Sequence, residues 1–418
     1  MQVEVYPSKV SGCIVPPPSK SYLHRAIICA ALSNGTSTIN NVIYSDDINV
    51  SLSAFANIGV KIKKLENTII ITSLGLSHLQ QDKVVDCNES GSTIRFLIPI
   101  FSNSYKSYFK GKSGLLNRPF TIYEDIFKSQ NLVFEKDGKK IVTQGLLSPG
   151  EYVVKGDVSS QFISGLLFVL PTLSEDSSIK VSGTFESSKY VDITVDILRS
   201  FGINVYFSGD TFFIPGNQKY VPTTINTEID YSQAAFYAVL GIINNNIQIS
   251  DLNHKSLQPD RKIIEIIQNM GGIVKITNNN TTFCKSSTSG IEIDVSQCPD
   301  IAPILGLLAA RSSGETNIIN AKRLTIKESN RLLSTYETLK SLGVEVYMGE
   351  DSLKIIGTEI IQGNTCKSYN DHRIAMTLGI AGTICNSKVI IKNAEAVKKS
   401  YPNFFQDLQS LGAIIKYK

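Results

Sequence analysis

No apolar run in this 418-residue chain reaches the ~18–20 residues that a membrane-spanning helix needs. The opening Met1-Gln2-Val3-Glu4-Val5 lacks the charged-then-apolar profile of a signal peptide, so a cytoplasmic protein with no membrane partner is expected. Cys-x-x-Cys pairs are also missing. The seven cysteines, at 13, 29, 87, 284, 298, 366 and 385, are an odd, scattered set beside only four histidines, which fits neither a disulfide framework nor a zinc site. No tail or stripe collects the charge. The net +4 is spread along the chain, which gives some support to anionic small ligands and little to nucleic acid, for which a clustered basic patch is expected.

What is present is core material. Hydrophobic residues make up 42% and charged residues 19%, and mean hydropathy is +0.02, the balance of a globular chain rather than a disordered one. At roughly 150 residues per domain the length implies two or three domains. The stretch Pro18-Ser19-Lys20-Ser21-Tyr22-Leu23-His24-Arg25 opens a helical pattern whose apolar positions recur at Leu23, Ile27 and Ala30/Ala31, with Asn34-Gly35 as a left-handed stop. Unpaired backbone N–H groups at such a start favour an anion by roughly 0.3–1 kcal/mol, and Lys20 and Arg25 add to that. Ser19 or Ser21 could equally serve as a plain N-cap.

The chain also repeats itself. A helix ending in an apolar residue, then Gly, then a β-rich run recurs with glycines at 59, 202, 271, 343 and 412. The spacings are 143, 69, 72 and 69, so a further copy belongs near position 131, where Asn131 stands. Asn is the residue after Gly that best tolerates the left-handed conformation of a helix end. A hairpin follows each signature, as in Val205–Ile214 and Val344–Ile356, and two helical patterns with a β-rich stretch between them precede it. Six units of about 70 residues, each strand, helix, strand, helix, strand, strand, account for the chain.

Helix starts keep the same register. Capping sequences stand near 20, 91, 160, 231, 300 and 371, separated by 71, 69, 71, 69 and 71 residues. A second set opens each later helix, at Asp46-Asp47, Arg118-Pro119, Asp192, Pro259-Asp260-Arg261, Lys327 to Arg331, and Ser400-Tyr401-Pro402. Lys20, Arg25, Arg95, Arg118, Lys327, Arg331, Arg373 and Lys399 lie within two turns of these starts. If three units pack about a pseudo-threefold axis, their helix N-termini point one way, and two such domains would enclose a cleft ringed by cations. Substrates carrying several negative charges are expected there.

These residues carry a resemblance. Pro18-Ser19-Lys20-Ser21 with Arg25, Ser90-Gly91-Ser92-Thr93-Ile94-Arg95, Leu116-Asn117-Arg118-Pro119, Ser159-Ser160-Gln161 and Tyr190-Val191-Asp192-Ile193-Thr194 mark the first half. Pro299-Asp300, Lys327-Glu328-Ser329-Asn330-Arg331, Asn370-Asp371-His372-Arg373 and Lys399-Ser400-Tyr401-Pro402 mark the second. In this order they resemble the 5-enolpyruvylshikimate-3-phosphate synthase family over the full length. The resemblance implies an α/β (α+β) protein of two domains, each an inside-out α/β barrel of three βαβαββ repeat units, the enolpyruvyl transferase fold. It places residues 1–18 plus 229–418 in one domain and 19–228 in the other, with the active site in the interdomain cleft.

It also implies the reaction: the carboxyvinyl group of phosphoenolpyruvate moves onto the 5-hydroxyl of shikimate 3-phosphate and phosphate leaves. Asp300 would be the base on that hydroxyl, and Glu328, with Lys20, the acid at the methylene carbon. Shikimate 3-phosphate would be held by Lys20, Ser21, Arg25, Ser159, Ser160, Gln161, Ser187, Tyr190, Asp300 and Lys327. Phosphoenolpyruvate would meet Lys20, Gly91, Arg118, Gln161, Arg331, Arg373 and Lys399. Asp300 also occupies the cap slot of its repeat, and His372 reads as a neighbour that orients Arg373. Neither a metal nor an organic cofactor is implied, and a monomer acting on small molecules, without nucleic acid, is expected.

The chain departs from the family pattern at Glu89-Ser90 before Gly91, at Asn330 and at Asn403. Two alternatives share the fold. A UDP-N-acetylglucosamine enolpyruvyl transferase would open with Lys-Asn and carry a loop cysteine, whereas this chain has Lys20-Ser21 and no cysteine between Gly111 and Pro119. A nucleic-acid-end cyclase or non-catalytic anion-binding protein is disfavoured by the missing basic patch and by the presence of both Asp300 and Glu328.

Overall fold

The structure is a computed structural model that describes residues 1–76, 82–102, 104–278 and 280–418. The chain divides into two compact units, Met1–Ser19 with Glu228–Lys418, and Lys20–Thr227. Among the described residues each unit contains three four-stranded sheets, six in all, which is the count the periodicity predicts. Every sheet has one plan, seen clearly in the strands Glu151–Lys155, Ser177–Ser182, Thr211–Ile214 and Tyr206–Ser208, written in spatial order. The first two run parallel and the closing hairpin is antiparallel.

Helices lie inside and sheets outside. Along Glu151–Lys155 burial alternates strictly, so one face of the sheet meets water. The helix that follows each first strand is buried almost all round: Lys20–Leu32, Gly91–Ile100 and Ser160–Val169 in one unit, and Tyr231–Ile243, Ala302–Ala310 and His372–Gly382 in the other. Buried Leu, Ile and Phe side chains each contribute roughly 1.5–3 kcal/mol, so these helices are held by packing more than by propensity. The second helix of each repeat, such as Ser188–Ser200, is amphipathic and buries one stripe.

Position 131 behaves as expected. Asn131 has φ 55°, alongside Gly59, Gly202, Gly271, Gly343 and Gly412 at 97°, 80°, 91°, 76° and 107°. Two expectations need correction. The helix Lys20–Leu32 is not stopped by a left-handed Asn34-Gly35, because Asn34 already begins the strand Asn34–Asn40. Gly35, at φ 138°, is needed within that strand, where a Cβ would lie 2.6 Å from Pro222 Cγ.

The repeats are also not contiguous. The first repeat takes its parallel edge strand from Thr224–Asn226, and the fourth takes its own from Gly12–Ile14. The sixth takes its inner hairpin strand from Gln2–Tyr6, which lies between Val389–Lys392 and Ile414–Tyr417. The two crossing segments pair with each other at Pro18 and Ile229, with Ser19 N donating to Glu228 O at 2.8 Å.

Candidate active site

In the unit that includes Glu228–Lys418, the chemistry gathers on Arg331. Asn330 caps the helix Arg331–Ser341 by accepting from Leu333 N, which sets Arg331 on the first turn with a side chain only 1% exposed. Such a buried cation must be paired. Its Nη1 donates to Asp300 Oδ1 at 2.9 Å, its Nη2 to Glu328 Oε2 at 2.5 Å, and its Nε to Asp371 Oδ2 at 3.0 Å. Burial alone would lower its proton affinity, but Asp371, Glu328 and Asp300 hold it well above the usual value.

Asp300 is the second focus. Lys327 Nζ lies 3.1 Å and Arg331 Nη1 2.9 Å from Oδ1, and Arg373 Nη2 lies 3.6 Å from Oδ2. Burial pushes this carboxyl up, yet Lys327, Arg373 and Arg331 together hold it far below the ordinary carboxylate range. Burial draws the Lys327 ammonium down, against the attraction of Asp300. The cap reading of Asp300 does not hold. Asp300 sits in the turn Pro299–Ile301 ahead of the helix Ala302–Ala310, which has no side-chain cap, because the carboxylate is engaged by cations.

Three repeats meet at this cluster. Asp371 caps the helix His372–Gly382 through Arg373 N at 2.9 Å while pairing with Arg331 and accepting from Ser329 Oγ at 3.1 Å. Arg373 Nη1 donates to Ser232 O, on the first turn of Tyr231–Ile243, at 3.0 Å. Lys399 Nζ donates to Asn370 O at 2.5 Å, beside the same Asn370-Asp371-His372-Arg373 segment.

Lys20–Thr227 carries the other predicted residues in linked groups. Lys20 Nζ pairs with Asp47 Oδ2 at 2.9 Å. Arg25 is buried and lies 5.1 Å from the Phe96 ring centroid. It donates to Thr194 Oγ1, Ser21 O and Tyr190 O at 2.7, 2.8 and 3.0 Å, so Ser21, Arg25 and Tyr190 do come together. Among the described residues no carboxylate pairs with it, and burial lowers its guanidinium to about 10. Gln161 joins Arg95, accepting from its Nη1 at 2.8 Å, to Ser92, donating to its Oγ at 2.9 Å. Ser159 caps the helix that Ser160 opens, and Ser187 is buried at φ 53°.

Gly91 and Arg118 form a further pair. A Cβ on Gly91 would lie 2.6 Å from Arg118 Nη1, so the glycine is what lets that guanidinium lie against the helix start. Beneath Lys20 and Asp47, one turn along both helices, His24 Nδ1 meets Ser51 Oγ at 2.9 Å. Ser51 meets Thr93 Oγ1 at 2.8 Å and Thr93 meets Ser90 Oγ, the cap before Gly91, at 2.7 Å. Burial, then Lys20 and Arg25, push the His24 imidazole well below its usual value, so it is neutral.

Sequence reasoning did not single out Asp47 or Asp371 as partners of the cations, nor Asp260 as the acceptor from Ser232 Oγ. All three stand in the repeated helix-start slots, which is the signal that could have found them. Among the described residues no group of His, Cys, Asp and Glu side chains is arranged to hold a metal ion, and no helix is long and apolar enough to cross a membrane.

A family model described as EPSP synthase (3-phosphoshikimate 1-carboxyvinyltransferase) matches residues 5–408. The chain is similar to the 3-phosphoshikimate 1-carboxyvinyltransferase of Clostridium kluyveri, at 45% identity over 99% of this chain and 98% of that one. It is 46% identical to that of Clostridium acetobutylicum over 98% of this chain and 97% of that one. Among solved structures, EPSP synthase from Acinetobacter baumannii matches with a TM-score of 0.84 and 24% identity, covering 100% of both chains. The enolpyruvyl transferase NikO from Streptomyces tendae matches with 0.78 and 16%, over 100% of this chain and 98% of that one. At those identities the two structures speak for the fold alone, a two-domain enolpyruvyl transferase fold.

Proposed function

The chain belongs to the EPSP synthase family, and on that premise we propose how its own side chains divide the work. It is a transferase of the shikimate pathway that moves the carboxyvinyl group of phosphoenolpyruvate onto the 5-hydroxyl of shikimate 3-phosphate, with release of phosphate. Addition protonates the methylene carbon while the hydroxyl attacks C2, and elimination reverses the proton traffic. Both halves need an acid and a base, each contributing roughly 10²–10⁴-fold.

Asp300 is the base and Glu328, with Lys20, the acid. The observation that supports this most is the convergence of Lys327, Arg331 and Arg373 on Asp300, with Glu328 on the same Arg331 guanidinium. Substrate phosphate and carboxylate groups compete for those cations. As the cations turn to the substrates, Asp300 loses the charges that hold its carboxyl low and becomes a stronger base, and Glu328 is released from the guanidinium. The protein thereby keeps its proton-transfer groups quiet until anions arrive.

Shikimate 3-phosphate is assigned to Lys20, Ser21, Arg25, Ser159, Ser160, Gln161, Ser187, Tyr190, Asp300 and Lys327. Phosphoenolpyruvate is assigned to Lys20, Gly91, Arg118, Gln161, Arg331, Arg373 and Lys399. Arg25 favours this reading because its buried charge has protein hydrogen bonds but no carboxylate among the described residues, and guanidinium suits phosphate better than any other side chain. The reading extends to a monomer working in the cytoplasm without nucleic-acid or membrane partners, which light scattering and cell fractionation check.

Asp300→Ala and Glu328→Ala test the roles. Each is expected to lower kcat by about 10²-fold or more while KM for either substrate moves far less. Near-wild-type kcat in either variant removes that residue from the mechanism.

A further inference from the structure

We propose that Asp260 is a positioning residue for the Asp300 centre: linked through Ser232 to Arg373, it sets by its own charge how that guanidinium is shared between Asp300 and an incoming anion. Asp260 stands in the turn Pro259–Arg261 and is 1% exposed. Ser232 Oγ donates to Asp260 Oδ2, and the carbonyl of the same serine accepts from Arg373 Nη1 at 3.0 Å. The other arm of Arg373 lies 3.6 Å from Asp300 Oδ2. Asp260, Ser232, Arg373 and Asp300 are therefore a continuous row drawn from the fourth, sixth and fifth repeats.

The charge on Asp260 is poised to change. Burial raises its carboxyl, Asp300 and Asp230 push in the same direction, and the Ser232 hydrogen bond and Arg373 oppose them, leaving it at about 7. Among the described residues, the titratable and charged groups that act on it include Asp300, Arg373 and Asp230, and it acts in turn on the thiol of Cys298, on which Lys262 also acts. The thiol takes no part near neutrality, since burial and then Asp260 push it up to about 12. Asp260 is thus the carboxyl of this row whose charge changes near neutrality, and Ser232 links it directly to Arg373.

The sign follows from Coulomb's law. Below pH 7 a neutral Asp260 leaves the Arg373 charge to Asp300 and the substrate. Above it, a second carboxylate draws on the same guanidinium and repels the substrate anion. Binding of phosphoenolpyruvate should weaken as pH rises through neutrality. This step rests on the assignment of Arg373 to phosphoenolpyruvate and of Asp300 to the base, whereas the Asp260–Ser232–Arg373 contacts stand without it.

The test is KM for phosphoenolpyruvate across pH in the wild type and in Asp260→Asn, which keeps the size and the acceptor for Ser232 but cannot ionise. The wild type should show a several-fold rise in KM centred near pH 7, with kcat moving less, and the variant should be flat. An equal rise in both overturns the proposal. A substrate-free readout separates this from the assignment of roles: the infrared stretch of a protonated carboxyl should fade near pH 7 in the wild type and be missing in Asp260→Asn. Should that variant not fold, Ser232→Ala should move the loss of the band to higher pH, because the hydroxyl stabilises the carboxylate. No band titrating in that range overturns the proposal. An Arg373→Ala variant with unchanged KM for phosphoenolpyruvate would instead sink the Arg373 assignment, with the infrared band still reporting on Asp260.

Discussion

At the scale of single residues, the position of Gly91 against Arg118 gives the most direct prediction. A methyl group there cannot coexist with Nη1 at its present place. Gly91→Ala should raise KM for phosphoenolpyruvate about tenfold or more, since charge-assisted hydrogen bonds contribute roughly 1.5–3 kcal/mol, and should leave KM for shikimate 3-phosphate nearly unchanged. Steady-state kinetics with each substrate varied in turn check this, and equal effects on both would contradict it. The residues that sequence could supply were those with charge at a repeated slot, such as Lys327, Arg331 and Arg373. It did not say which carboxylate pairs with which cation, because those pairings join distant segments. Asp300 looked like a cap because its spacing is that of a cap, and only the approach of Lys327, Arg331 and Arg373 from distant segments makes it an acceptor for cations instead.

At the scale of helices, the buried row His24–Ser51–Thr93–Ser90 ties three helix starts together. All four side chains are 1% exposed or less. Thr93→Val keeps the shape and removes the central hydroxyl, which strands polar groups on both sides. A loss of about 1–3 kcal/mol in urea unfolding is expected, with substantial recovery in Thr93→Ser. A Thr93→Val variant as stable as the wild type would contradict it. Helix starts were legible because a cap is a local device, one side chain meeting a backbone N–H two or three residues on, as at Ser90 and Asp371. A second recurring feature, shared by five of the six repeats, was not. The residue after the inner parallel strand is left-handed at Asn41, Gly183, Asp251, Asn320 and Asn393, but Asn, Asp and Gly share no single-letter signature, and their common backbone conformation is invisible without the fold.

At the scale of the molecule, the exchange of strands between repeats lies beyond any local pattern. Gln2–Tyr6 completes a sheet made otherwise from the last sixth of the chain, and nothing in five residues of alternating character says which sheet they join. The repeat count was legible because hydrophobic period and turn chemistry recur in each copy. The pairing was not, because it is decided by contacts nearly 400 residues apart. Glu4 reports on this closure. Its carboxylate meets Lys418 Nζ at 2.6 Å, Tyr6 OH at 2.7 Å and Lys388 Nζ at 3.3 Å. Lys418 first, then Tyr6, with Lys388 adding to them, hold the carboxyl at about 2, against an ordinary 4.5. A lowered folded-state value gives stability that is complete above the ordinary value and is lost as pH falls toward the folded one. Glu4→Gln should therefore be less stable than the wild type at neutral pH, and the gap between their urea midpoints should close between about pH 4.5 and pH 2. A gap that persists at pH 2 would contradict this account of the closure.

The chemistry of the whole enzyme comes down to one assay, the release of phosphate from phosphoenolpyruvate by the purified protein with each acceptor supplied in turn. Release that depends on shikimate 3-phosphate is the result expected from the family and from the anion-matched cations at Arg25, Arg118 and the Asp300 centre. Release with UDP-N-acetylglucosamine and none with shikimate 3-phosphate would contradict it.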